Sequence, residues 1–238
     1  MSQGRLMVRR RVAFGVVVAV LGLAFVAAGE AAAQATGTIT GVVTTTAAAR
    51  PPVRITTDTA ACGRQLPNES VVVNAGGQLA NAVVTLTGVR ARGEAPELTI
   101  ANDGCRFVPR VQVARPGQVV RTVSRDTVLH TTTAVDAAGR QIFNIALPVP
   151  GLTIARPLGD PGIVRVVCQM HPWMLGWLMV TSDVSAVSDA EGRFRLPDVP
   201  PGTYTLRVWH ETLGESTASV TVRAGQTATV AVAVNERR

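Results

Sequence analysis

The sequence predicts an all-β protein built from two sandwiches. Three observations point there. Val- and Thr-rich stretches recur along the chain and many alternate with a period of two. Gly and Pro turns bound those stretches. Beyond the N-terminal segment, no comparable stretch has a helical period with caps. With 238 residues, of which 47% are hydrophobic and 16% charged, the chain is long enough for one large domain or two small ones.

Taken in order, residues 1–35 read as a secretory signal and are set aside. Arg5, Arg9, Arg10 and Arg11 form a basic front, an apolar run extends from Val12 to Ala28, and Ala33-Gln34-Ala35 offers a cleavage site. The expected mature chain begins near Thr36, in the periplasm or outside the cell; membrane attachment applies only if the segment stays uncleaved. Strands are then expected at "TITGVVT" (38–44), "NAVVTLTG" (81–88), "RVQVARPGQVVRTV" (110–123), "GIVRVV" (162–167), "GTYTLRVWH" (202–210) and "ASVTVRAGQTATVAVAV" (218–234).

The charge balance excludes one class of partner. The chain has 23 basic residues, all Arg, against 16 acidic ones; the four Arg and one Glu of residues 1–35 leave 19 against 15, a net of +4. These Arg are scattered, without the basic run or interleaved aromatics of a nucleic-acid surface, and no nucleic-acid partner is expected.

Three cysteines in an exported chain leave one unpaired. Cys62 and Cys105 each sit beside a Gly in turn-like settings and have no metal-ligand type next to them; we pair them. That leaves Cys168 for function. In "VVCQMHPWMLGW" (166–177), Cys168, His171 and Met174 fall within seven positions. Thiolate and thioether are soft donors, and two His, one Cys and a weak axial Met form the blue-copper set. His130, in "SRDTVLHTTTAV", supplies the second His better than His210, which reads as a strand-end residue. Met170 and Met179 compete with Met174 for the axial place, and zinc competes with copper, although structural zinc prefers more Cys and no Met. A binuclear copper centre would need a second Cys in the loop.

The stretch "CQMHPWMLGWLMV" resembles the C-terminal ligand loop of cupredoxins, with a Cys-x2-His-Pro-aromatic-Met spacing like that of amicyanin. Upstream, "CRFVPRVQVARPGQVVRTVSRDTVLH" is similar to the cupredoxin run that leads to the first His. The resemblance implies a cupredoxin-like Greek-key β-sandwich over residues 81–182 and one mononuclear type 1 copper site held by His130, Cys168, His171 and Met174. It departs at Ser124 and Thr131, where the family often carries Asn residues that tether the Cys loop. "SDAEGRFRLPDVPPGTYTLRVWHE" (188–211) resembles the carboxypeptidase regulatory-like domain, a small prealbumin-like β-sandwich, here over 183–238. The same domain type often begins with a strand like "GTITGVVT" (37–44) followed by one like "NAVVTLTG" (81–88); both are present, in or beside the N-terminal β segment 36–80, but separated from the "DAEGRF" half by the cupredoxin-like stretch. Two arrangements fit it: the copper module is inserted into the accessory sandwich, or the two follow in tandem.

The expected function is a periplasmic type 1 copper protein that carries single electrons for an unidentified redox partner, a dehydrogenase or a cytochrome. The edge of His171 is expected to be the ligand edge nearest solvent, amid a docking patch of Pro172, Trp173, Leu175 and Trp177. Two alternatives are a copper-delivery protein without electron transfer and a metal-free secreted β scaffold. Enzymatic turnover is not expected: no Ser-His-Asp or paired-carboxylate arrangement can be assembled, and three His are too few for a multicopper oxidase.

Overall fold

In the computed structural model, which describes Met1 and residues 35–236, strands dominate and the one helix among the described residues spans Thr59–Cys62. The basic front, the apolar run and most of the cleavage site expected in residues 1–35 lie outside the described residues. The all-β expectation holds.

One sandwich faces two sheets against each other. The first sheet orders Arg193–Val199, Gly37–Thr44 and Thr227–Ala233; the second orders Asp183–Val187, Val83–Arg90, Gly202–His210 and Gly214–Val222. Gly37–Thr44 alternates strictly between buried and half-buried positions, so Ile39 and Val43 enter the core beside Leu86, Phe194, Leu196 and Leu206. Gly41 lies on that inward face, where an added Cβ would fall 2.6 Å from the Phe194 ring and 2.1 Å from the Val230 carbonyl. Only glycine lets the ring lie across the strand. The turn at Asp189–Gly192 is closed by the Asp189 carboxylate, which accepts from the amides of Glu191 and Arg193 at 3.0 and 2.8 Å.

The other sandwich has a five-stranded sheet, ordered Gln141–Leu147, His130–Val135, Gly162–Val167, Leu175–Val180 and Val111–Ala114. Facing it is a four-stranded sheet of Thr153–Pro157, Val119–Ser124, Leu98–Asn102 and Phe107–Val108. The long stretch 110–123 is thus two strands separated by a turn at Arg115–Gln118. Ile100, Phe107, Val120, Leu147, Met174 and Leu178 fill the space between the sheets. A short hairpin of Val53–Arg54 and Gln65–Leu66, with the Thr59–Cys62 helix at its tip, packs Ile55 and Cys62 into this same core.

Strand pairing places the N-terminal segments. Gly37–Thr44 pairs with Arg193–Val199 and, in parallel, with Thr227–Ala233. Val83–Arg90 pairs with Asp183–Val187 and Gly202–His210, and so belongs to the accessory sandwich rather than to the 81–182 module. The reason is its two-sided burial: Val84 and Leu86 enter the accessory core, while Val83 meets Val111 and Trp209 at the junction. The chain therefore leaves the accessory sandwich twice, once for the 53–66 hairpin and once for residues 98–180.

The junction itself carries a buried ion pair. Arg110 binds Glu211 through two nitrogens, and their side chains are 9% and 3% exposed. Trp177 donates its indole N–H to the same carboxylate at 2.8 Å and meets Trp209 edge-on at 5.5 Å between centroids.

Candidate metal centre

The ligand loop is the connection of a β-hairpin. Gly162–Val167 and Leu175–Val180 pair antiparallel, with Val167 opposite Leu175, so residues 168–174 turn between them. The turn is closed by the Met174 amide on the His171 carbonyl at 2.9 Å. His130 opens the neighbouring strand, which pairs with Gly162–Val167 through Thr133 and Val167. An antiparallel partner running the other way brings the start of that strand to the end where the loop sits.

His130, Cys168 and His171 converge there, all buried. Their donor atoms lie within 4.8 Å of one another: Nδ1 of His130 is 3.0 Å from Nδ1 of His171, and the Cys168 Sγ is 3.9 and 3.7 Å from them. The outer nitrogen of each ring is held by a carboxylate. His130 Nε2 is 2.9 Å from Asp126 Oδ2, and His171 Nε2 is 2.8 Å from Asp58 Oδ2. With each Nε2–H donated to a carboxylate, both Nδ1 lone pairs point at the same small space as the sulfur. Two lone pairs that close repel unless a proton or a cation lies between them.

Asp126 is itself anchored, accepting from the amides of Gly104 and Cys105 at 2.8 and 2.9 Å. Met174 is buried in the same core as Cys168, directly before the second hairpin strand, while Met170 is exposed and Met179 packs at the junction. His210 lies in the accessory sandwich and accepts from the amides of Thr212 and Leu213 through Nδ1, both at 3.3 Å.

Electrostatics favours a thiolate. Burial works against ionisation of Cys168, but the hydrogen bond with His130 and the amides of Thr131, Met170 and His171 outweigh it and bring the pKa down to about 6. For His130, burial lowers the pKa, and the hydrogen bond and charge of Cys168, followed by those of Asp126, more than reverse it.

Thr131 takes over a tether expected to be lost. Its hydroxyl accepts from the Gln169 amide at 2.7 Å, and its own amide donates to the Cys168 sulfur at 3.4 Å. A hydroxyl one position after the His can therefore pin the loop as a carboxamide would. Ser124 is buried, with its hydroxyl 3.3 Å from the Asp126 carbonyl.

Cys62 and Cys105 are joined by a disulfide, and Cys168 is free. Cys105, Asp126 and His130 also cluster, but a sulfur in a disulfide has no thiolate to offer.

Two sequence expectations need correction. His171 does not present an edge to solvent: it is 0% exposed, because Asp58 caps Nε2 and the disulfide-tied segment lies beside it. Trp177 does not join a docking patch, since its indole is committed to Glu211 and Trp209 across the junction. Of the other patch residues, Pro172 is exposed, and Trp173 and Leu175 are half-buried; Trp173 donates to the Cys105 carbonyl at 3.1 Å. Sequence reasoning missed Asp58 as a partner of His171. It lies 113 positions away, with no local signal beyond its place before the Cys62 helix.

Residues 178–235 match the family model of the carboxypeptidase regulatory-like domain. The match takes in the five C-terminal strands of the accessory sandwich; Gly37–Thr44 and Val83–Arg90, which complete its two sheets, come from earlier in the chain. No curated protein matches the sequence. Among solved structures, a purple cupredoxin from Nitrosopumilus maritimus is similar at 23% identity, over 36% of this chain and 100% of that one, with a TM-score of 0.32. Amicyanin from Paracoccus versutus is similar at 16% identity, over 41% of this chain and 97% of that one, with a TM-score of 0.33. A copper-containing nitrite reductase from Thermus scotoductus is similar at 23% identity, over 40% of this chain and 25% of that one, with a TM-score of 0.31. Similarity at that level leaves any metal assignment to the side chains themselves.

Proposed function

We propose that this protein is a type 1 copper protein that carries single electrons between periplasmic redox partners. One observation carries the reading: two imidazole Nδ1 atoms and a thiol sulfur, all buried, meet within 4.8 Å, each imidazole backed by a carboxylate. That donor set fits copper, being soft at sulfur and intermediate at nitrogen. His130, Cys168 and His171 would hold the ion, with Met174 as a weak fourth donor. When bound, the metal supplies one-electron Cu(II)/Cu(I) chemistry.

The chain's own residues do the rest. Asp126 and Asp58 hold the Nε2–H of each ring and so turn the Nδ1 atoms toward the ion. Thr131 fixes the thiolate, and the surrounding core excludes water, so the donors are already placed and little rearranges when an electron arrives. The Cys62–Cys105 bond supports an oxidising compartment, in line with the signal-like N-terminus. We read the chain as a carrier rather than an enzyme. Its partner would be a dehydrogenase or a cytochrome.

The test is Cu(II) addition to the mature chain, read by visible absorption and electron paramagnetic resonance beside Cys168→Ser. An intense red-region band that disappears in the variant is the expected result. A colourless protein that takes up Cu(I) would instead favour copper delivery.

A further inference from the structure

His171, Asp58, Cys62 and Cys105 form one connected unit over the site. Asp58 Oδ2 takes the His171 Nε2–H at 2.8 Å. The Asp58 carbonyl accepts from the amides of Ala61 and Cys62 at 3.0 and 2.8 Å, so the carboxylate and the cysteine sit on the same single helical turn. Cys62 is then bonded to Cys105, whose amide donates to the Asp126 carboxylate that holds His130 and whose carbonyl accepts from Trp173. The disulfide thus ties the turn that carries Asp58 to the Cys105 turn, which holds Asp126 through its amides, so the carboxylate partners of both histidines are linked through it. Val53, Ile55 and Leu66 seat the hairpin on the core beneath, while the Asp58 side chain stays 48% exposed and His171 is wholly covered.

We propose that the 53–66 hairpin is a cover latched by the Cys62–Cys105 disulfide, and that Asp58 is a positioning residue which closes the His171 edge to solvent and fixes its tautomer. The hairpin packs on the sandwich of His130 and Cys168 from between two strands of the accessory one, and its two short strands pair with each other and with no strand of either sandwich. Its placement therefore depends on three anchors: the apolar seat of Val53, Ile55 and Leu66, the disulfide, and the Asp58–His171 hydrogen bond. The last of these acts on the ligand directly. A carboxylate on Nε2 makes the imidazole a stronger donor at Nδ1, which favours Cu(II) over Cu(I) on the reading above.

The cover is tested without metal by the rate at which Cys168, the one free thiol, reacts with an aromatic disulfide reagent in the full chain. Asp58→Ala should speed the reaction about tenfold, the scale of one hydrogen bond in a local opening equilibrium. Asp58→Asn, which keeps an oxygen for the Nε2–H, should stay near the unmodified rate, and Cys62→Ser with Cys105→Ser should react at least as fast as Asp58→Ala. An Asp58→Ala rate equal to the unmodified one overturns the cover, whatever the double variant does. In the copper-loaded chain, Asp58→Ala should raise the midpoint potential and Asp58→Asn should recover part of the change; an unchanged potential overturns the positioning role. If copper gives no coloured complex in any variant, the proposed function fails while the thiol rates still decide the cover.

Discussion

Arg110 and Glu211 form a two-point ion pair across the junction of the sandwiches, with Nε–Oε1 at 2.5 Å and Nη2–Oε2 at 2.8 Å, nearly out of reach of solvent. The third guanidinium nitrogen donates to the Leu175 carbonyl at 3.0 Å, the residue after Met174. The accessory sandwich thereby reaches the end of the ligand loop through one arginine.

Breaking this pair from one side leaves a buried charge with only a weaker partner, Glu69 at 4.0 Å for Arg110 or the Trp177 indole for Glu211. Glu211→Ala or Arg110→Ala should each cost about 3–5 kcal/mol of stability, and the double change Arg110→Ala with Glu211→Ala should cost less than the sum of the two single losses. Urea unfolding of the four proteins checks this, and additive single losses would remove the pair as the holding element.

Thr131→Val keeps the shape and removes the hydroxyl. The Gln169 amide then loses its acceptor, at a cost of about 1–3 kcal/mol where no water replaces it. The melting temperature should fall, and in the copper-loaded protein the thiolate band should move, because the loop that carries Cys168 loses its tether. A Thr131→Ser variant should behave like the unmodified protein.

His210 sets a pH dependence. Burial lowers its pKa from 6.5; the Glu211 charge opposes and the Arg110 charge adds to that shift. The folded protein refuses a proton that the unfolded chain accepts, so this contribution to stability is complete above pH 6.5 and is lost as pH falls through the folded-state value. His130, with its raised pKa, works in the opposite sense, contributing below its unfolded value and losing that contribution as pH rises through its folded one. Subtracting the stability profile of His210→Asn, whose side-chain oxygen can still accept from Thr212 and Leu213, isolates the His210 part. The difference should grow in favour of the variant as pH drops from 7 to about 5.

Removing the Cys62–Cys105 bond, which spans 43 positions, should lower stability by about 2–5 kcal/mol. The melting temperature of the Cys62→Ser, Cys105→Ser chain against the unmodified one measures it. A loss below about 1 kcal/mol would mean that the hairpin is held by Ile55 and its neighbours instead.

Local sequence determined what depends on near neighbours. The strands follow from alternation, since side chains two apart share a face. The Cys168-His171-Met174 loop follows from three donors on one tight turn, and the Asp189 turn from a carboxylate within reach of amides two and four residues on. Tertiary structure alone decided the rest. Val83–Arg90 reads both as the second strand of the accessory domain and as the start of the 81–182 module, and only its pairing and two-sided burial choose the first. Trp177 reads as surface or core with equal ease until Glu211 and Trp209 arrive from the other sandwich. The outer partner of His171 is Asp58, 113 positions away, brought there by a disulfide and a buried isoleucine. Hydrogen bonds and ion pairs between distant segments leave no period in the sequence, because what sets them is the packing of faces that the chain brings together only once it has folded.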